Sequence, residues 1–469
     1  MVVHDMIEAA MAQIKQNLTR FCQEHAEEPL TAWSAEQVTK GIQRALAATG
    51  KAAYRAFLEA KEEDQDIVVV DGETYRFKYF SEKTFISLWG DMPVLRKVFQ
   101  NAKDTKTHVP LDAAWDMAGE HMTIEVCEAV GFACAHVTPE EAAALFEKSA
   151  LFHPHPTVMK RALERMAERV AAHREELDRR IREQEHAPQG TRVLVASMDG
   201  ANVLLNEKGK KRGRPAERPN GEPDKEKTTA YKNAMVGSIS FYGAVKEDEK
   251  CPQRLDCRYT SHMPEDGTVT FKAKFEAELA AAQAQCPANV KKVILCDGAR
   301  PIWNYVENNE CFEDYEKLID YWHSVEHLSL AAEALFGKGT DEAKTWYGKY
   351  AKKLKEQDNG AQSILRSMAY HAKTRKLPKG RRKDLATQRT FFKRNKAKMT
   401  YADFRRRGLP IGSGPVEAAC KTLVKTRLCR SGMRWSRPGG QRILDLRTYV
   451  KSNRWDAFWQ QYKQLKRAA

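Results

Sequence analysis

The feature that most constrains this chain is the tripeptide Asp-Gly-Ala, which occurs twice, each time directly after a short apolar run. Residues 192–198 (RVLVASM) lead into Asp199, and residues 290–296 (VKKVILC) lead into Asp297. Short apolar runs of this kind predict buried β-strands. Each aspartate is therefore expected where a strand ends, with its carboxylate held on a rigid element and facing solvent. Two such carboxylates predict a divalent cation between them.

A third carboxylate, Glu417, follows a glycine-rich loop at 409–416 (LPIGSGPV) and falls in the first turn of a predicted helix. A glutamate in that position favours the helix dipole and can complete a capping box, which alone would explain it. Together with two strand-end aspartates, metal ligation explains it better, because three converging carboxylates repel and raise each other's pKa values. Two Mg²⁺ (or Mn²⁺) ions about 3.5–4 Å apart resolve this repulsion and support phosphodiester displacement.

The charge of the chain points to a polyanionic partner. Its 469 residues carry a net charge of +15, and residues 373–396 hold many lysines and arginines but one acid, Asp384. Clustered positive charge of this kind favours nucleic acid binding over general solubility. The ten cysteines include no Cys-x-x-Cys pair, so no zinc site is predicted. No apolar stretch suits a bilayer span and the N-terminus has no secretory pattern, so we expect a cytoplasmic protein without membrane contact.

The order of predicted elements divides the chain into three regions. Residues 1–109 are mostly helical, with a hairpin or small sheet near 66–88, and residues 110–188 are helical. Two helices joined at 153–156 in the second region fit a helix-turn-helix DNA-binding domain or any helical bundle, and both interpretations stay open. Residues 189–469 are expected to form the catalytic domain.

The catalytic region is interrupted by a flexible basic loop at 206–229 that is almost free of apolar residues. Its Arg-Gly-Arg-Pro core resembles an AT-hook, whose arginines enter a narrow minor groove, although a solvated hairpin tip is the more common explanation. The loop residues that we predict to contact DNA are Lys210, Lys211, Arg212 and Arg214.

The middle of the chain predicts an α/β domain in the order β-β-β-α-β-α, which is that of an RNase H-like fold. A further strand is expected at 315–321, and helices are expected over most of 322–400. The predicted elements are strands at 193–198, 234–244, 255–260 and 291–296 and helices at 269–285 and 302–308.

Four stretches resemble the DDE transposases of bacterial insertion sequences, closest to the ISKra family within the Mutator-like group. They are SMDGA, ILCDGA, DYWHSVEH at 320–327 and GSGPVEAACKTLVKTRLCRSGMRWS followed by PGGQ. Together they cover roughly residues 190–450, and the last stretch is the most specific. The resemblance implies that Asp199, Asp297 and Glu417 are the metal-binding triad, and that a helical insertion at about 322–408 grips DNA.

The Asp320-x-x-His323 element matches the C/DxxH motif of Mutator-like transposases, which is associated with the active site and with the transferred strand. The resemblance therefore adds His323 to the catalytic residues, against the alternative of a helix-start histidine that packs near Trp322. His323, Glu326 and His327 also form a His-x-x-Glu-His string that resembles an inverted zinc-protease motif. A protease would leave the repeated Asp-Gly-Ala and the basic C-terminal region unexplained.

The residues after Glu417 are predicted to contact DNA. Four basic residues recur at spacings that place several on one helix face, where they could reach phosphates beside the scissile bond. Trp435 could stack on an unpaired base, or pack in the core equally well. The predicted DNA-contacting residues of this segment are Lys421, Lys425, Arg427, Arg430, Arg434 and Trp435. For Trp455, Phe458 and Trp459, spaced at i, i+3 and i+4, packing is the better explanation.

The resemblance implies a transposase that cuts and joins double-stranded DNA, at the terminal inverted repeats of its element and at a target. Because two ends must be held together, a homodimer or larger assembly on DNA is expected, in the bacterial nucleoid. Two alternatives stay open: a domesticated DNA-binding protein without catalysis, and an RNase H-like nuclease that cleaves without strand transfer. The presence of all three triad members favours an active enzyme over the first.

Overall fold

The computed structural model describes residues 2–62, 64–117, 119–206, 231–246, 249 and 251–465. Most of the basic loop predicted at 206–229, with Lys210, Lys211, Arg212 and Arg214, lies outside the described residues. The chain divides into two compact units: Met1–Arg174 with Trp459–Ala469, and Glu175–Phe458. Among the described helices, none combines the length and the apolar character that a membrane span requires. The protein is mixed α/β, with one sheet in each unit.

The first unit combines a pair of long helices, a four-stranded antiparallel sheet and a group of shorter helices. The sheet has the order β1-β2-β3-β4. The sheet predicted near 66–88 is confirmed, and it extends to residue 108. The elements are α1 (Val2–His25), α2 (Ala32–Glu59), β1 (Ile67–Val70), β2 (Glu73–Ser87), β3 (Gly90–Asn101), β4 (Thr107–His108), α3 (Pro110–Ala114), α4 (Ile124–His136), α5 (Pro139–Ser149) and α6 (Pro156–Ala172).

Helix α5 begins with a capping box. The Thr138 hydroxyl accepts a hydrogen bond from Glu141 N at 3.2 Å, and Glu141 Oε2 accepts one from Thr138 N at 2.8 Å, with Pro139 in the first turn. These contacts satisfy amide groups that the helix itself leaves without partners. Helix α6 begins after His155, whose Nδ1 accepts a hydrogen bond from Thr157 N at 3.2 Å. The two helices form where the sequence predicts them; their helix-turn-helix role stays a prediction.

The second unit is built on a five-stranded sheet in the order β7-β6-β5-β8-β9. Strands β5, β6 and β7 are antiparallel neighbours, whereas β8 and β9 run parallel to β5. Helix α7 (Arg174–Glu183) precedes the sheet. The following elements are β5 (Val193–Leu204), β6 (Tyr231–Tyr242), β7 (Arg254–His262), α8 (Val269–Gln285), β8 (Lys291–Cys296), α9 (Arg300–Glu307) and β9 (Glu316–Ile319).

All five predicted strands and both predicted helices of this segment form, but the first strand is longer than expected. The prediction that β5 stops at residue 198 is wrong: pairing with β6 continues from Asp199 opposite Val236 to Leu204 opposite Tyr231. Only the parallel pairing with β8 stops early, at Ala196 opposite Ile294. Asp199 therefore lies where the parallel part of the sheet ends, on a strand that continues as a hairpin.

Helices cover the rest of the second unit. Buried residues of the sheet, α8 and α10 to α14 form one core, and β5, β6, α15 and α17 contribute to another. Phe458 and Trp459 are both buried, as predicted. The elements are α10 (Tyr321–Phe336), α11 (Asp341–Glu356), α12 (Gly360–Thr374), α13 (Lys379–Asn395), α14 (Tyr401–Arg406), α15 (Gly414–Ala419), a π-helix (Cys420–Lys425), α16 (Thr426–Leu428), α17 (Arg437–Lys451) and α18 (Trp455–Tyr462).

Candidate active site

Strand register aligns three aspartates at one edge of the second sheet. Ala196 of β5 lies opposite Ile294 of β8, so three residues further along each strand come Asp199 and Asp297. Cys296 of β8 lies opposite Ile319 of β9, so the next residues are Asp297 and Asp320. Because β5, β8 and β9 are parallel, these three positions lie at the same edge of the sheet, where the parallel pairing ends. Asp199 and Asp297 also line one cavity of about 590 Å³.

The backbone after each of the first two aspartates is held by that residue's own carboxylate. Asp199 Oδ1 accepts a hydrogen bond from Gly200 N at 2.6 Å, and Asp297 Oδ1 accepts one from Ala299 N at 3.0 Å. Packing requires the glycine of the second Asp-Gly-Ala, Gly298, because a Cβ at this position would lie 2.3 Å from the Phe391 ring of α13. The Asp-Gly-Ala loop therefore fits directly against α13.

The ionised form of Asp297 is disfavoured in the folded protein. Burial raises the pKa of its carboxyl, the Ala299 amide and His323 lower it, and Asp199 and Asp320 raise it further. The charges of two neighbouring aspartates thus act on Asp297, in agreement with the strand register. A carboxylate in this position gains from a nearby cation.

Glu417 lies in the first turn of α15 and belongs to the same electrostatic environment. Burial raises the pKa of its carboxyl, followed by the charges of Asp320 and Asp199, while Lys421 lowers it. The thiol of Cys420, one turn later, also lies beside Asp199: burial, then the Asp199 charge, raises its pKa. The helix that carries Glu417 therefore approaches the edge where Asp199 lies.

Asp320 connects the strand edge to the loop that carries Glu417. Its side chain is 1% exposed. One carboxylate oxygen accepts a hydrogen bond from His323 N at 2.7 Å, which caps α10, and the other accepts one from Ser413 N. The sequence identified Asp320 through its spacing to His323, but the bond to Ser413 spans 93 positions and no local pattern predicts it.

The donor set suits hard divalent cations. Carboxylate oxygens are the ligands that Mg²⁺ and Mn²⁺ prefer, and ionised carboxylates near each other require a neutralising charge. In the part of the chain that the structure describes, no three or more His, Cys, Asp or Glu side chains form a ready cage for a metal ion. Asp199 and Asp320 thus raise the pKa values of Asp297 and Glu417, although the carboxylates do not close around one point.

His323 lies in the first turn of α10, and its side chain is close to Asp297. Its Nδ1 is 3.7 Å from Glu326 Oε2, and its charge lowers the Asp297 pKa. The second histidine of the string, His327, stacks on Phe391 with a centroid distance of 3.6 Å, and its Nδ1 is 2.7 Å from Gln388 Oε1. His327 is thus engaged by α13, whereas His323 faces the carboxylates.

The predicted DNA-contacting residues after Glu417 fall into two groups. Lys421, Lys425, Arg430 and Arg434 are exposed. Arg427 is different: it is 2% exposed, and its guanidinium lies 5.3 Å from the centre of the Trp435 ring. In this position Arg427 supports the segment and does not face solvent.

Trp435 is bound to the protein through its backbone and its ring. Its N donates to Leu204 O at 3.0 Å, its carbonyl accepts from Asn206 N at 2.8 Å, and its Nε1 donates to Leu428 O at 2.9 Å. These contacts extend the end of β5 and favour packing over base stacking.

A π-helix follows the helix of Glu417 and is held by a buried arginine. Thr426 N donates to Lys421 O, five residues earlier, so it is not available to Thr422 O in the usual α-helical pattern. Arg447 Nη2 donates to Thr422 O, and Arg447 Nε donates to Leu423 O at 2.7 Å. Burial, followed by the charge of Arg427, lowers the Arg447 pKa to about 10. Arg447 thereby stabilises a rare helix geometry that often occurs at functional sites.

Comparisons with known proteins leave the site to be interpreted from its own geometry. No protein-family model matches the chain, and no curated protein matches it significantly.

Proposed function

We propose that the second unit is the RNase H-like catalytic domain of a DDE transposase of the ISKra type within the Mutator-like group. The observation that carries the proposal is the register that brings Asp199 and Asp297 to one sheet edge, in the electrostatic environment of Glu417. The sheet order, with three antiparallel strands followed by two parallel ones, supports the RNase H-like assignment. Helices α10 to α14 would be the insertion that grips DNA.

In this proposal, Asp199, Asp297 and Glu417 would hold two Mg²⁺ (or Mn²⁺) ions, which would supply Lewis-acid stabilisation of the negative charge on the reacting oxygens of a phosphodiester. Asp320 fixes the relative position of α10 and the Glu417 loop through its two hydrogen bonds. His323, beside Asp297, would exchange a proton with the reacting strand. The exposed Lys421, Lys425, Arg430 and Arg434 bind phosphates, and double-stranded DNA with the element ends and the target is the substrate.

The test is a cleavage and joining assay with purified protein, Mg²⁺ and a plasmid that carries the flanking ends of the element. Asp297→Ala is expected to lower both activities by at least about 100-fold, because losing a ligand costs no less than losing a residue that supports one. Asp314→Ala is the matched control, since Asp314 is exposed and lies before β9, outside the carboxylate group. Cleavage that persists in Asp297→Ala would refute the triad. Nicking without any joined product would instead favour a nuclease.

A further inference from the structure

The outermost strand of the first sheet, β1, has an edge that no other described strand covers. It stands first in the order β1-β2-β3-β4, and among the described residues it pairs with β2 alone. Asp66 O accepts a hydrogen bond from Phe77 N at 2.8 Å, so Asp66 faces β2. Because backbone groups alternate along an antiparallel strand, Ile67 and Val69 direct their N–H and C=O groups away from β2. The edge therefore offers donors and acceptors to a further strand.

This edge is apolar and lacks the devices by which proteins usually protect an unpaired strand. The sequence of β1 is IVVV, without lysine or proline, and its pairing with β2 has no bulge. Ile67 is 43% exposed and Val69 is 67% exposed. An exposed, apolar edge of this kind is a template for pairing with another chain. Asp66 and Asp71 flank the run and confine the apolar edge to β1 itself.

Nucleic acid is a poor partner for this surface. Residues 1–174, which make up most of the first unit, carry 26 Asp and Glu but 20 Lys and Arg, although the whole chain has a net charge of +15. Binding to phosphates requires an excess of basic residues. Main-chain groups and aliphatic side chains are instead what a β-strand recognises in another β-strand. The chemistry of the edge therefore favours a strand of protein.

A second copy of this chain fits the edge in one register that uses all of its outward groups. In an antiparallel ladder, hydrogen-bonded pairs form between residues that both face the partner strand. A two-fold axis then places Ile67 opposite Val69 of the partner subunit, and Val69 opposite Ile67 of the partner subunit, with Val68 opposite its own copy. Each of the two outer pairs exchanges two main-chain hydrogen bonds. The exposed side chains of Ile67 and Val69 are covered as cross-strand pairs.

Charges beside the apolar run complement each other in this register. On β2, Arg76 and Lys78 are exposed and have no ion pair within the part of the chain that the structure describes, and the same holds for Asp71 in the turn after β1. The register brings Asp71 of the partner subunit beside Gln65, two strand spacings or about 10 Å from Lys78. Within one copy, Asp71 and Lys78 are separated along the hairpin by roughly 20 Å. These two residues can therefore meet only between copies.

We propose that β1 joins two copies of this chain edge to edge, in the absence of DNA. The proposal does not rest on the proposed function. It gives the first unit an association surface within the region where the sequence predicts DNA binding. Because each copy contributes one short strand, the interface is at the small end of the range for specific complexes, and the dimer dissociates on dilution.

Analytical ultracentrifugation of the full chain without DNA measures this association. Val69→Pro removes an outward N–H that β2 does not use, so the hairpin remains while the pairing is lost. Leu95→Lys is the matched control, because Leu95 is 42% exposed on β3 of the same sheet, away from the β1 edge. Each dimer of Val69→Pro loses two hydrogen bonds, so its dissociation constant should rise by about 100-fold relative to Leu95→Lys.

A second variant keeps the test independent of folding. Val69→Lys retains the N–H and adds a charged side chain of the kind that protects natural edges, at a position where the side chain is already exposed. It should weaken the dimer at least about tenfold. Circular dichroism and thermal melts should match those of the wild type. A wild-type chain that stays monomeric up to its solubility limit would overturn the proposal in favour of another protein as the occupant, and equal dissociation constants in Val69→Lys and Leu95→Lys would overturn it as well.

Disulfide trapping tests the register, in a chain whose exposed Cys22, Cys251 and Cys429 are replaced by serine. Directly opposed residues of an antiparallel ladder lie about 4.5–5.5 Å apart at Cα, which a disulfide can span. Val68→Cys should therefore form a covalent dimer under mild oxidation. Val70→Cys is the control, because its two copies lie four residues apart along the ladder, beyond the limit of about 7 Å. Equal trapping of the two variants would overturn the register.

A double-mutant cycle tests the charge contact between copies. Asp71→Asn removes the acid and keeps a residue that suits the φ of 51° at this turn position. Asp71→Asn and Lys78→Gln should each weaken the dimer roughly threefold, and the double variant should lose no more than one of them does. Additive losses would overturn the contact and with it the register. Cleavage and joining of DNA play no part in these measurements, so a failure of the proposed function is recognised separately.

Discussion

The second unit contains two groups of carboxylates that the protein treats in opposite ways. In one, Glu185 and Glu278 surround Arg454, which is 7% exposed. Arg454 Nε and Nη2 each donate to Glu185 at 2.6 Å, and Nη1 donates to Glu278 Oε2 at 3.0 Å. In the other, at the sheet edge, the described residues include no lysine or arginine that forms an ion pair with Asp199, Asp297, Asp320 or Glu417.

The difference separates a structural group from a candidate reactive one. Burial disfavours the charged form of Arg454, but Glu278 and Glu185 outweigh it and raise the Arg454 pKa above its ordinary value, so the guanidinium keeps its charge in the folded state. At the sheet edge the pKa values of Asp297 and Glu417 are raised, because burial and neighbouring carboxylates oppose their ionisation. A protein that keeps such repulsion gains nothing in stability from it, which is typical of sites that bind a cation or substrate.

The largest effect is expected from removing the arginine of the neutralised group. Arg454→Met leaves the buried Glu278 and the half-buried Glu185 without their main partner, and breaking a buried pair in this way costs about 3–5 kcal/mol. Urea unfolding followed by circular dichroism measures the loss. A triple variant that adds Glu185→Gln and Glu278→Gln removes the uncompensated charges and should recover part of the stability. A loss below about 1 kcal/mol in Arg454→Met, the scale of an exposed pair, would contradict the comparison.

The sequence predicted the elements that carry the site better than it predicted the contacts between them. Residues 193–198 and 291–296 form strands because their apolar runs are buried on both faces. The sequence did not predict that β5 would continue beyond Asp199, because the β6 partner that extends it comes from a segment about 30 residues further along. Where a strand ends depends on its partner as well as on its own residues.

The same limit applies to single side chains. The spacing of Lys421, Lys425, Arg427 and Arg430 predicted one basic face, but it carried no signal of the π-helix that changes the register after Glu417. Arg427 is buried against Trp435, and Arg447, which stabilises the π-helix, matched no motif. In both contacts, burial decides the cost and the gain in free energy. Periodicity of a single segment does not contain that information.

The next largest effect is expected at Arg447. Arg447→Met removes the donors to Thr422 O and Leu423 O, and losing hydrogen bonds from a charged group costs about 1.5–3 kcal/mol. Lys451→Met is the matched control, because Lys451 is an exposed basic residue on the same helix. Urea unfolding gives the free energy, and amide hydrogen exchange over 420–428 should accelerate in Arg447→Met alone. Unchanged exchange there would mean that the π-helix does not depend on Arg447.

The smallest effect has the opposite sign, at the carboxylates without a cationic partner. Asp297→Asn removes a charge that burial and two aspartates oppose, so it should stabilise the metal-free protein at neutral pH, on the order of 1 kcal/mol. When the pKa of a carboxyl is raised in the folded state, the cost in folding free energy is complete at pH values above that pKa. This cost disappears as the pH falls and the carboxyl becomes protonated. The difference between wild type and Asp297→Asn should therefore be largest near pH 7 and shrink in acid.

Added Mg²⁺ should reverse the order of stability of the wild type and Asp297→Asn. A cation that binds the folded state raises its melting temperature by mass action, and the gain requires the carboxylate. We therefore expect Mg²⁺ to stabilise the wild type more than Asp297→Asn, in thermal melts at neutral pH. The arginine group provides the contrast, because Arg454, together with Arg258 at Glu185 and Arg182 at Glu278, already neutralises both glutamates, so Mg²⁺ should not stabilise the fold through them. An equal Mg²⁺ response in wild type and Asp297→Asn would contradict Mg²⁺ binding by the sheet-edge carboxylates. The two groups of carboxylates would then differ only in how their charges are balanced.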